Sequence, residues 1–131
     1  MFFANKKKVV KREVDPSNLL TKLEMEKLSP LQILELFSEE EKYLSEQYIR
    51  KFKKIEISTG GNDYNLTAIY ENCYFIITPN RFEIDIEIKL ENKKEAVLQI
   101  KKVYAPGGKF LFFKNNSVAI STNSSEINIK F

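Results

Sequence analysis

The apolar positions of this chain follow two periods, and the change falls near residue 52. Up to Arg50 they recur every three or four residues: Leu19, Leu20, Leu23 and Leu28, then Ile33, Leu34, Phe37, Leu44 and Tyr48. That spacing predicts amphipathic helices. Two helix starts precede them. In DPSNLL, Asp15 can cap free amides and Pro16 fits the first helical position. In SPLQ, Ser29 is the cap, Pro30 the first helical residue and Gln32 the reciprocal partner of a capping box. Ser38 with Glu41 repeats that pattern. The segment 30–50 therefore reads as one helix with Ser38 inside it, or as two short helices broken there; one helix is the preferred reading.

From Lys53 onward the period is two. Ile55 and Ile57 alternate with Lys54 and Glu56, and RFEIDIEIKL alternates over ten residues. Further strands are predicted at 65–70, 73–78, 81–90, 96–104, 109–113, 117–121 and 126–131. The connectors TGGND, ENC, PN, ENKKE, APGG, KNN and TNSS carry turn chemistry. The expected fold is α+β. An N-terminal helical segment packs on a curled antiparallel sheet, or a small β-barrel, of about seven to eight short strands. A length of 131 residues suits one domain. The expected division is a basic arm over 1–14, then a single domain over 15–131, helical in 15–50 and β-rich in 53–131.

Composition narrows the chemistry. There is no histidine, which removes Ser–His–Asp and Cys–His mechanisms and most zinc sites. One cysteine, Cys73, cannot make an internal disulfide, and the apolar YFII after it suits a strand residue rather than a nucleophile. No apolar run approaches the ~18–20 residues of a membrane span. The opening MFFANKKKVVKRE has no apolar stretch after its charges, so no signal peptide is expected and the location is expected to be cytoplasmic. The charge of +3, from 21 basic and 18 acidic residues, announces no nucleic-acid partner by itself.

Glu83, Asp85 and Glu87 stand in a row with neighbours roughly 7 Å apart. Inverting glycosidases separate their two carboxylates by about 6.5–9.5 Å. Any exposed strand with acids at i and i+2 has that spacing, however, and Arg81 and Lys89 bracket the row. It reads as the wet side of an amphipathic strand. Neither STGGND nor APGGK matches a dinucleotide or P-loop pattern. The chain is expected not to be an enzyme, and no metal, cofactor or small-molecule substrate is called for.

Two features point to partners. In KFLFFK, Phe110 and Phe112 share one face while Leu111 and Phe113 share the other. A strand apolar on both faces is central, covered or an interface. The candidate partner-binding set is Phe110, Phe112, Phe113, Lys109 and Lys114. Lys6, Lys7, Lys8, Lys11 and Arg12 form a basic arm that could meet phosphate. The stretch LSPLQILELFSEEEKYLSEQYIRKFKKIEIS is similar to the entry of small OB-fold domains of the tRNA-anticodon-binding-like type, in which a capped helix runs through a tyrosine into a Lys-rich first strand. Downstream the chain departs from it, lacking the glycine that lets the first strand coil and offering more than five strands. Separately, the β region interleaves aromatics with lysines, Phe52 between Lys51 and Lys53, Lys102 near Tyr104, Lys109 before Phe110 and Phe112–Phe113 before Lys114, as single-strand binders do with basic grooves and stacking platforms. The expected function is a non-enzymatic protein–protein binding subunit, with a protein partner or self-association. OB-type nucleic-acid binding is the alternative. An apolar-ligand barrel has no specific feature in its favour.

Overall fold

A computed structural model of the chain describes residues 19–39, 43–60, 65–79, 83–103, 111–122 and 125–131. The elements in order are β1 (Leu19–Leu20), α1 (Lys22–Glu26), α2 (Pro30–Glu39), β2 (Tyr43–Leu44), β3 (Tyr48–Gly60), β4 (Asn65–Pro79), β5 (Glu83–Leu90), β6 (Ala96–Val103), β7 (Leu111–Lys114), β8 (Ser117–Ser121) and β9 (Glu126–Lys130). The two helices and the predominantly antiparallel pairing make an α+β chain. Among the described residues no helix is long and apolar enough to cross a membrane.

The helical part is shorter than its spacing predicted. Thr21 caps α1, through a capping box in which Thr21 and Glu24 exchange backbone and side-chain hydrogen bonds; Asp15 and Pro16 lie outside the described residues. Leu19–Leu20 is extended and pairs in parallel with Tyr43–Leu44. In α1 the buried residue is Met25, whereas Leu23 is 71% exposed. The second start is as expected: Ser29 and Gln32 form the reciprocal box and Pro30 opens α2. That helix ends at Glu39, and Leu44 and Tyr48 are extended. A separation of four keeps two residues on one face of a strand as well as of a helix, so the period alone could not separate the two. Both are buried.

Seven strands form one antiparallel sheet in the order β6-β5-β4-β3-β9-β8-β7. β6 and β7 are its terminal strands and do not pair with each other, so the barrel alternative is corrected: the sheet is open. Nor does it have the five strands the OB resemblance implied. The long β3–β4 hairpin joins its two halves. Residues 73–79 of β4 pair with β5, and residues 56–60 of β3 pair with β9. The buried side changes parity between these stretches. In β4, Cys73, Phe75 and Ile77 are buried, whereas on the other side of Asn72 it is Tyr70 that is packed against the core; in β3, Tyr48 gives way to Ile55 and Ile57. The ladder omits the pair Lys53–Asn72, and Asn72 has φ 51. A left-handed residue there turns both strands together, so one inner face continues around a corner. Asn tolerates that conformation better than most residues. This is why the two strands predicted at 65–70 and 73–78 are one.

The core draws on both halves: Ile55, Ile57, Phe75, Ile77, Ile84, Ile86, Ile88, Val118, Ile120 and Ile129, with Ile33 and Leu34 of α2 in the same cluster. Each such side chain, fully buried, stabilises the fold by about 1.5–3 kcal/mol relative to exposure.

Candidate partner-binding surface

Cross-strand register lays out the outer face of the second half-sheet. Phe112, Ala119, Asn128, Ser58 and Thr67 form one row across five strands. Lys114, Ser117, Lys130, Glu56 and Ile69 form the next. At strand spacings of about 4.8 Å the face is roughly 19 Å wide. Its middle is polar: Glu56, Ser58, Lys114, Ser117, Asn128 and Lys130 line an open concavity of about 290 Å³ with Asn115 and Asn116. Its two margins are apolar, with Phe112 49% exposed at one and Ile69 56% exposed at the other.

Local chemistry fixes the Phe112 margin. β7 and β8 join through the two-residue turn Asn115–Asn116, and Asn115 takes φ 53, as tight hairpins require. The Ser117 hydroxyl donates to the Lys114 carbonyl at 2.9 Å. The Phe131 amide donates to the Asn116 carbonyl at 3.1 Å, and Asn116 Nδ2 to the Phe131 carbonyl at 3.2 Å. The turn is thereby tied to the residue beyond β9.

The predicted set divides. Phe112 and Lys114 lie together on the outer face. Phe113 points the other way and is half-buried against the core. Lys109, Phe110 and the basic arm, Lys6, Lys7, Lys8, Lys11 and Arg12, lie outside the described residues. The row on β5 is no convergent site: Asp85 accepts from Gln99 Nε2 at 3.3 Å and faces Lys101 across the ladder, and Glu87 faces Gln99. Among the described residues no group of acids, Cys or His could hold a metal. Cys73 is fully buried, its thiol is pushed up by burial, and its Sγ lies 3.7 Å from the Tyr70 carbonyl. A thiol kept protonated and covered is a poor nucleophile.

A larger groove, about 490 Å³, runs between α1 and the start of β3, lined by Lys22, Met25, Glu46, Tyr48, Ile49 and Arg50 among others. Its polar groups are spent on the fold. Arg50 Nη2 donates to the carbonyls of Glu26 and Leu28, both at 2.9 Å, and the Tyr48 hydroxyl donates to Leu28 at 2.8 Å. These bonds satisfy carbonyls at the end of α1 that no helix turn can reach. Lys22 pairs with Glu46 at 3.7 Å.

No protein-family model matches the chain, and no curated protein or solved structure matches it either.

The two-faced KFLFF pattern singled out Phe112, which the structure places exposed on the outer face, but not the exposed Ile69 at the opposite margin. NLTAIY carries apolar residues at both parities, which is the same signal that drew attention to KFLFF.

Proposed function

We propose that the protein is a non-enzymatic protein–protein binding module, a subunit of a larger assembly, and that it holds its partner at the β7 margin. The observation that carries this reading is Phe112. A phenylalanine half exposed at the margin of a sheet, on its terminal strand, is an apolar surface that a partner can cover. Aromatic side chains ringed by polar neighbours are the usual anchors of protein interfaces. Lys114, Asn115 and Asn116 supply such a polar rim beside Phe112.

Single-stranded nucleic-acid binding is the second reading. It is favoured by Lys114 and Lys130 in the concavity beside Phe112. Against it stand Glu56 in the same floor and the single exposed aromatic of this face among the described residues. Stacking platforms use several rings in succession.

Fluorescence anisotropy with labelled dT and rU oligomers at two ionic strengths separates the readings. A merely basic surface binds weakly at low salt and hardly at all near physiological salt. Submicromolar binding at physiological salt, lost in Phe112→Ala, replaces the protein-partner reading with the nucleic-acid one.

A further inference from the structure

Among the described residues the edge of β4 from Asn65 to Glu71 has no strand beside it, and the reason is the corner. β5 follows β4 only along residues 73–79, with one more bond from the Glu91 amide to the Asn72 carbonyl at 3.0 Å. The chain then turns away, while the β3–β4 hairpin runs on. Among the described residues, 65–71 therefore pairs with β3 alone.

This edge differs from those of β6 and β3. β6, at one end, carries Lys101 and Lys102, and residues 48–54 of β3, free of β9, carry Lys51, Lys53 and Lys54. Lysines are the ordinary guard against edge-to-edge pairing. NLTAIYE has none. It carries instead Leu66 and Ile69, 63% and 56% exposed, two of the six large hydrophobics left open on the described surface.

We infer that this edge pairs antiparallel with the same edge of a second copy of the chain, centred on Ala68. That register uses the whole free stretch. It sets Asn65 against Glu71, Leu66 against Tyr70 and Thr67 against Ile69, each twice, with Ala68 against itself. No like charges oppose. Leu66 gains Tyr70 of the second copy as its cross-strand neighbour, and Ile69 gains Thr67, so both exposed hydrophobics are covered by one arrangement. The same operation on 48–54 sets Lys51 against Lys51, which is unfavourable. A second copy thus fits the edge by backbone pairing, side-chain cover and charge at once. The surface is separate from Phe112, which lies four strands away on the same outer face, so the dimer carries two copies of the partner-binding margin.

Sedimentation velocity across a concentration series tests this, with the wild type and two variants of the full chain. Wild type is expected to pass from monomer to dimer as concentration rises. Thr67→Lys with Ile69→Lys sets lysine against lysine in the proposed register and is expected to stay monomeric. Thr67→Lys with Ile69→Glu sets lysine against glutamate and is expected to recover the dimer. Ala68→Cys keeps the idea testable if the charged variants fold poorly. Residues opposite each other lie about 4.5–5.5 Å apart at Cα, within disulfide reach. Oxidation should crosslink Ala68→Cys between copies and leave Thr67→Cys uncrosslinked. A wild type monomeric at every concentration overturns the inference, as does a dimer indifferent to the lysine pair. Equal crosslinking at 67 and 68 overturns the register. Phe112→Ser should leave the dimer intact, so loss of partner binding and loss of the dimer are distinguishable.

Discussion

The ring of Phe131 meets the ring of Phe75 edge to face, with centroids 5.0 Å apart. Phe75 is fully buried in the first half-sheet, and Phe131 follows β9 of the second. Phe52 lies 5.1 Å from Phe131 on the other side. The contact ties the two halves across the corner. Phe75→Ala should cost about 3–5 kcal/mol, as large-to-small changes in a packed core do. Phe131→Leu keeps an apolar side chain and loses the ring pairs, so about 1–2 kcal/mol is expected. Urea denaturation of both variants measures this.

The corner itself rests on Asn72. Its φ of 51 suits Asn or Gly and strains a β-branched residue. Asn72→Val should lower stability by about 1–2 kcal/mol, whereas Asn72→Gly should be nearly neutral. Thermal unfolding of the two variants side by side checks the assignment, and equal midpoints would leave the corner unsupported.

Burial pushes the Tyr48 phenol above its ordinary value, with Arg50 pulling it partly back. A raised value means that the folded chain holds this proton after the unfolded chain has lost it. The associated stability is therefore complete below about pH 10 and is lost as pH rises through the folded value. Burial of the Cys73 thiol acts with the same sign from about pH 8.5 upward. Urea midpoints at pH 8 and pH 10.5 should show wild type losing more than Tyr48→Phe. At pH 8 that variant should be weaker by only about 0.5–1.5 kcal/mol, the worth of one hydrogen bond, because Arg50 still donates to the Leu28 carbonyl.

Neighbouring residues on β5 should answer very differently. Ile86 is fully buried, so Ile86→Asp places an unpaired charge in the core, and a lost unfolding transition or insolubility is expected. Glu87→Gln and Asp85→Asn, on the outer side, should each shift stability by no more than about 0.5 kcal/mol. A loss of several kcal/mol in the outer pair would mean that the carboxylate row has a role beyond solvation.

The β half was legible because its signal is redundant. Ile84, Ile86 and Ile88 alternate with charged residues and turn chemistry bounds the run, so strand and inner face follow together. The helical half was less so. Leu44 and Tyr48 sit four apart, which suits both periods, and no single residue chose between them. The Thr21–Glu24 box that caps α1 gave a weaker signal than the Ser29–Gln32 box, because a threonine cap before KLEM carries no proline after it. The corner left one trace, the ENC between two strand patterns, read as a turn because positive φ in a strand and a tight turn favour the same residue. The Phe112 margin was visible as a strand apolar on both faces. The lysine-free edge at 65–71 was not, because an edge is defined by where another strand stops, and that depends on contacts distant in sequence.

The account's central claim is that Phe112 contacts a protein partner. Its most direct test is site-specific photocrosslinking, with benzoylphenylalanine at position 112 or at position 23, in cells that make the protein. Leu23 is the control because it is more exposed, at 71% against 49%, and lies on α1 away from the β7 margin. A discrete, nuclease-resistant protein adduct at 112 and none at 23 is the predicted result. Equal or absent crosslinking at the two positions would contradict the claim, as would an adduct at 112 that nuclease digestion removes.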